Sequence, residues 1–176
     1  MTGKTFFNKI ANNKRDFLAE FIDHLKTAKI PFCVIGGLAV NAYAEPIVSL
    51  DLDIIITAEG IDRLEKVLPK EYQIKRARHS INIHAKYSDL RIQIQRDERY
   101  QNFIGRSAQK IVLGYKLPVA TVEDVLQGKL WVYGDPERRP SKRQKDLADI
   151  MRLVEVKSSL LKHLPKDLQK LISQKQ

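Results

Sequence analysis

Residues 32–56 read FCVIGGLAVNAYAEPIVSLDLDIII, and this stretch decides the fold. Phe32, Cys33, Val34 and Ile35 form a short apolar run that stops at Gly36-Gly37. Such a run, bounded by a turn signal, predicts a buried strand. The two glycines let the backbone turn sharply and leave room for a ligand against the main chain. Leu38 to Ala44 predicts a short helix, halted near Pro46 because the residue before a proline disfavours helical geometry. A helix starting just past the glycines points its free N–H groups and positive dipole end at the strand tip, which favours phosphate.

Leu50 to Ile56 predicts the next strand. Side chains alternate faces along a strand, so Asp51 and Asp53 share one face while Leu50, Leu52 and Ile54 turn to the core. The two carboxylates stand roughly 7 Å apart along the strand, at ~3.3 Å rise per residue. Neighbouring carboxylates repel, and a cation between them relieves the repulsion. Hard oxygen ligands of this kind suit Mg²⁺ arriving with the phosphates of a nucleotide. Two metals about 4 Å apart serve an in-line phosphoryl displacement.

Gly36-Gly37 followed by Asp51-Leu52-Asp53-Ile54 resembles the signature of the nucleotidyltransferase superfamily with the DNA polymerase beta-like fold. The resemblance implies an α/β (α+β) chain: a small mixed sheet with flanking helices, then a helical C-terminal part. It implies that Gly36 and Gly37 contact a triphosphate, that Asp51 and Asp53 bind Mg²⁺, and that an NTP is substrate. The nearest likeness is to small bacterial nucleotidyltransferases of abortive-infection and toxin–antitoxin systems. Many of these read Arg-x-Thr-x-Asp-x-Asp at this strand. Here Ser49 stands at the threonine place and keeps the hydroxyl, while Ile47 at the arginine place loses the charge. The resemblance covers Phe32 to Ile56 and continues more weakly to about Val154.

Ile81 to Ala85 and Leu90 to Gln95 alternate apolar with polar residues around Tyr87-Ser88-Asp89, which predicts an antiparallel hairpin. His84 faces away from the core in this pattern. Catalysing members of the resembled family place a third carboxylate on the strand beside Asp-x-Asp, in a pattern like Arg-Ile-Asp-Leu. Here the stretch reads Arg91-Ile92-Gln93-Ile94. A glutamine amide is no general base and a poorer Mg²⁺ ligand than a carboxylate. Asp89 and Asp97 flank the strand and replace it only in a different register. Two readings follow: an enzyme, or a catalytically impaired member that binds nucleotide, RNA or a protein partner.

Thr121-Val122-Glu123-Asp124 resembles a capping box. In the resembled family a strand like Leu117-Pro118-Val119-Ala120 leads into a helix whose lysine faces the nucleotide, and Lys129 occupies that place. The resemblance thus adds Lys129 to Asp51 and Asp53 as a catalytic residue, and Ser49 and Lys129 to the glycines as triphosphate contacts. A solvated helix lysine is the plain reading. Trp131 either packs or stacks on a base.

The helical remainder is read from periodicity. Asn13 to Thr27 predicts an amphipathic helix, and Ala58 to Leu68 another, stopped by Pro69. Tyr72 to Lys75 predicts a strand. Lys75-Arg76 with Arg78-His79 either holds phosphate near the aspartates or is a solvated loop. Tyr100 to Ala108 predicts a short helix. Gly114-Tyr115 turns a strand pair in which Pro118 marks an edge. Ser141 predicts the cap of a helix to about Val156, in which Asp146 either positions Lys129 or is an ordinary first-turn acid. Leu160 to Gln176 predicts a basic amphipathic helix. The expected organisation is a domain over residues 1–156 and a C-terminal helix over 157–176.

Lysine and arginine number 31 against 21 acids, a formal charge of +10 over 176 residues. Such an excess favours polyanions, with RNA or tRNA the leading acceptor. Arg138, Arg139, Lys142, Arg143 and Lys145 form the densest basic patch. The lone cysteine, Cys33, excludes an internal disulfide and fits a reducing compartment. No apolar stretch approaches the ~20 residues of a membrane span. With no signal-peptide core at the N-terminus, the expectation is a cytoplasmic protein.

Overall fold

A computed structural model describes residues 2–173. Its centre is a seven-stranded mixed sheet in the order β3-β4-β5-β2-β1-β7-β6. The strands are β1 (Phe32–Ile35), β2 (Asp51–Ile56), β3 (Gln73–Arg76), β4 (Ser80–His84), β5 (Arg91–Gln95), β6 (Ala108–Val112) and β7 (Tyr115–Val119). Strand β2 runs antiparallel to β1 and parallel to β5, and β1 meets β7 in parallel. The alternating runs pair as expected: β4 and β5 are antiparallel with Ile83 opposite Ile92 and Ile81 opposite Ile94. Leu52 and Ile54 lie in register with Ile92 and Ile94, so one face of the sheet is a continuous aliphatic layer.

Helices α1 (Gly3–Ile10), α2 (Phe17–Thr27), α3 (Gly36–Val40), α4 (Ala58–Val67), α5 (Phe103–Arg106), α6 (Val122–Tyr133), α7 (Pro140–Val156) and α8 (Lys166–Ser173) surround the sheet. Phe17, Phe21 and Leu25 of α2 and Leu64 of α4 are buried in the same core as the aliphatic layer. Cys33 is fully buried there, and burial pushes its thiol up to about 12. It is inert packing. Among the described residues no helix is long and apolar enough to cross a membrane.

Several boundaries differ from the sequence reading. Helix α2 starts at Phe17, because Asp16 caps it by accepting the Ala19 N–H. Helix α3 takes in the glycines and ends at Val40, and turns carry the chain to Pro46. The helix expected over Tyr100 to Ala108 breaks into a 3-10 turn (Glu98–Tyr100), α5, and the start of β6. Helix α7 begins at Pro140 without a side-chain cap, since proline in the first turn has no N–H to satisfy. Pro118 lies in β7, an interior strand. It is tolerated because β7 meets β1 at a single register pair, Val34 with Val119. The tail splits into a 3-10 segment (Ser158–His163) and α8 on either side of Pro165, and residues 174–176 of the expected helix lie outside the described residues. Leu160, Leu164, Leu168 and Ile172 are buried in the core. Helix α1 was not foreseen; it buries Phe7 while Phe6 stays exposed.

Candidate active site

Across β1 and β2, Ile35 pairs with Asp53, so the chain leaves β1 at Gly36 directly beside that carboxylate. Gly36 has φ +68°, and a Cβ there would lie 2.9 Å from both Cβ and Cγ of Asp53. Only glycine takes this conformation this close to the aspartate. A Cβ on Gly37 would meet nothing nearer than Ser49 Oγ at 4.0 Å, so space stays open above the turn. Ser49 is buried, and its hydroxyl accepts the Asp51 N–H at 3.3 Å. It holds the start of β2 and does not line the cavity described next.

Asp51, Asp53 and Gly36 lie along one wall of a cavity of about 470 Å³. Strand β5 extends that wall: Arg91 is in register with Asp51, and Gln93 with Asp53. The register is the expected one, so Gln93 occupies the third-carboxylate place. The flanking acids do not replace it. Asp89 is bound by the Asn12 side chain, and Asp97 pairs with Arg99 at 2.6 Å. Arg91 Nε donates to Asp51 Oδ1 at 3.0 Å. Burial pushes the Asp53 carboxyl above its ordinary range; Lys129 pulls it back and Asp51 adds to the rise. His84, in register with Arg91 on the same face, is held below its ordinary range by burial and by the charges of Lys75 and Arg91.

The opposite wall comes from α6, α7 and the loop between them. Lys129 on α6 is buried, with Nζ 3.0 Å from Asp146 and 2.6 Å from Asp149. Burial works against its charge, but the two carboxylates outweigh it and raise the pKa. Arg138 pairs with the far oxygen of Asp146 at 2.7 Å, and Arg152 with the far oxygen of Asp149 at 2.8 Å. Arg152 also reaches Asn41 Oδ1 at 3.0 Å, and Asn41 clamps the backbone of Ile47 in both directions. A chain of polar contacts therefore runs from Lys129 to the segment that feeds Ser49 and Asp51. Asp146 positions Lys129, as one of its two readings held.

The basic patch divides. Arg138, Arg139 and Lys142 line the cavity. Arg143 donates to the Asp135 carbonyl at 2.7 Å, and Lys145 is exposed outside the lining. The Lys75–His79 cluster sits in the β3–β4 hairpin, where Arg76 pairs with Glu65 at 2.6 Å, and contributes nothing to the lining. Tyr100, Phe103, Val125 and Val132 supply an apolar wall. Trp131 packs behind it, its ring 5.9 Å from Phe103 and near parallel. Thr121 caps α6 by accepting the Asp124 N–H at 3.2 Å, while the Asp124 carboxylate pairs with Arg106 at 2.7 Å.

Sequence reasoning gave no role to Arg91 or Asp149 and missed Tyr100 and Phe103. Alternation along the strand places Arg91 on the cleft side with Gln93, as found, but not its pairing with Asp51. Asp149 follows Asp146 by three on a helix, a spacing that places both on one side. Tyr100 and Phe103 carry no local signal. Among the described residues no three His, Cys, Asp or Glu side chains gather to ligate a metal. The donors on the sheet wall are the carboxylates of Asp51 and Asp53 and the amides of Gln93 and Gln95. They fit Mg²⁺ that draws its remaining ligands from phosphate and water.

No protein-family model and no curated protein matches the chain. Solved structures match by shape. The antibiotic-resistance factor ANT(2'')-Ia superposes with a TM-score of 0.59 at 12% identity, over 88% of this chain and 86% of that one. A nucleotidyltransferase-like antigen from Paracoccidioides brasiliensis gives 0.55 at 16% identity, over 96% and 86%. The lincosamide antibiotic adenylyltransferase LnuA, lincomycin-bound, gives 0.52 at 14% identity, over 80% and 98%. The chain has the nucleotidyltransferase fold. At these identities the likeness is one of architecture, and what this site does is argued from its own residues.

Proposed function

We propose that this protein transfers a nucleoside monophosphate from an NTP to an acceptor hydroxyl and releases pyrophosphate, with Mg²⁺ held by Asp51 and Asp53. The observation that carries the reading is the pair of aspartates on one face of β2, packed against the Gly36 turn in a cavity lined on its far side by cations. A protein that bound phosphate by charge alone gains nothing from two carboxylates there. The Gly36-Gly37 backbone and the open space over Gly37 admit the phosphates. Mg²⁺, when bound, neutralises phosphate charge and polarises the reacting phosphorus. Arg139 and Lys142 are the lining cations without an acidic partner among the described residues, and they meet the remaining phosphate charge. Lys129 is already neutralised by Asp146 and Asp149, so it acts on the triphosphate through the position and field it sets rather than as a free charge. Tyr100 and Phe103 are buried in the wall beside Val132, which offers the base an apolar surface to lie against rather than an open ring.

The acceptor is an RNA, with tRNA foremost, on the strength of the +10 charge and the basic rim. ANT(2'')-Ia has been solved with adenylyl-2''-tobramycin and LnuA with lincomycin, so hydroxylated small molecules are the other acceptor class to test. The test is label transfer. Protein, Mg²⁺ and each of four α-labelled NTPs are incubated with total RNA, then with aminoglycosides and lincosamides, beside an Asp53→Asn control. Label on an acceptor, lost in the control, is the expected result. Label nowhere, with nucleotide still bound, favours the second reading: a fold kept for binding. Gln93 opposite Asp53 is the observation behind that alternative.

A further inference from the structure

Each aspartate of the site faces a particular residue on β5. Asp53 faces the neutral amide of Gln93, and Asp51 faces a guanidinium, with Arg91 Nε 3.0 Å from its Oδ1. Two divalent ions about 4 Å apart place four positive charges in one small volume, and carboxylates between and around them must offset that repulsion. The sheet wall of this cavity has two such carboxylates, and one oxygen of Asp51 already pairs with Arg91. Of the other acids of the lining, Asp146 is committed to Lys129 and Arg138 and Asp124 to Arg106, while Asp135 stands on the exposed loop after α6 and accepts the Glu137 N–H at 2.9 Å. Glu137 reaches the rim only from the exposed loop after α6.

We infer that the site takes a single divalent ion with its nucleotide, and that Arg91 supplies the positive charge of the second. The inference rests on the nucleotide-binding role proposed above. Arg91 suits the task. Only its Nε has a partner among the described residues, which leaves both terminal nitrogens to reach phosphate oxygens as a planar fork. Its positive charge is fixed, so it needs no third carboxylate to hold it in place. Asp51 then orients Arg91 and shares the lone metal with Asp53. The loss of the third carboxylate and the gain of the arginine become one change: the site gives up a metal and keeps a cation.

The test counts ions. Full-length protein in excess over each of the four α,β-methylene nucleoside triphosphates, which cannot be cleaved at the α-phosphate, is titrated with Mn²⁺. Free Mn²⁺ is followed by electron paramagnetic resonance, and nucleotide affinity by calorimetry. The expected count is one Mn²⁺ per bound nucleotide. Arg91→Ala is expected to weaken nucleotide binding at least about tenfold, and Glu137→Gln to leave the count at one. The double variant Arg91→Gln with Gln93→Asp, checked for its fold by circular dichroism, is expected to bind two. Two ions in the natural protein, or none, overturns the inference while nucleotide binding stands. An unchanged count in a folded double variant overturns it as well. Failure of all four nucleotides to bind removes the proposed function itself. If the double variant does not fold, the count in the natural protein still decides.

Discussion

Asp53 sits half-buried beside Asp51, with the Gly36 turn against its side chain. Burial raises its pKa in the folded protein above the ordinary value of 3.8. The linkage has a definite sign. Between the unfolded and the folded pKa the native state holds the proton and the unfolded chain does not, so stability falls as pH rises through that window. Above it the protein carries a buried charge that folding alone does not favour. Asp53→Asn removes the charge and keeps the shape. The expected outcome is label transfer at background together with a melting temperature above that of the natural protein at pH 7. The difference disappears near pH 3, where both forms are neutral. Thermal denaturation at the two pH values checks this; a lower melting temperature for the variant at pH 7 would mean that the carboxylate is held by its cations more strongly than burial opposes it. The residues with this trade-off were legible in the sequence because their signal is local. Gly36, Gly37, Asp51 and Asp53 are placed by a turn and by alternation along one strand. The face that Arg91 takes was legible in the same way, but its pairing with Asp51 was not, because that contact crosses a strand pairing between segments far apart in the chain.

At the scale of elements, α6 and α7 are joined through one buried lysine. Lys129 meets Asp146 and Asp149, and neither aspartate is exposed. Removing one partner of a buried ion pair outright costs about 3–5 kcal/mol, but without Lys129 each aspartate still keeps an arginine, Asp146 with Arg138 and Asp149 with Arg152, so the loss here is smaller. Lys129→Met is therefore expected to lose stability in urea denaturation at pH 7, by less than about 3 kcal/mol, with activity falling alongside. Adding Asp149→Asn is expected to deepen the loss, since it takes from Arg152 the carboxylate that it pairs with. If Lys129→Met unfolds at the natural midpoint and only activity is lost, the lysine serves the ligand and not the helix pair. The sequence allowed Lys129 to pair with Asp146, but the pairing with Asp149 depends on how two helices dock, which helical periodicity alone leaves free. Element boundaries were lost where the same kind of tertiary demand overrode pattern. The stretch from Tyr100 to Ala108 has helical residues, yet β6 takes Ala108 to pair with Val119. Helix α1 is too short and too mixed in character to stand out, and it exists because Phe7 finds the core.

Over the whole molecule the +10 charge is unevenly spent. Arg15, Arg76, Arg99 and Lys157 are tied to acids nearer the surface, and Arg106, Arg138 and Arg152 to buried ones. Arg139 and Lys142 remain at the cavity rim, while the Lys75–His79 hairpin lies at the sheet edge, with β4 and β5 between it and the aspartate strand. Composition alone could not tell these two basic groups apart; the strand order separates them. The RNA arm of the proposal needs the strand to cross the rim, because the acceptor hydroxyl must come to the cavity. Each phosphate contact with single-stranded RNA adds about 0.7 to the slope of log affinity against log salt. Arg139→Ala with Lys142→Ala is therefore expected to weaken RNA binding and to flatten that slope by about 1.4. Lys75→Ala with Arg78→Ala removes as much charge and is expected to leave the slope nearly unchanged. Filter binding over a salt series measures both. Equal flattening by the two pairs would mean that RNA is held by net charge over the whole surface, and the acceptor at the cavity would then be a small molecule.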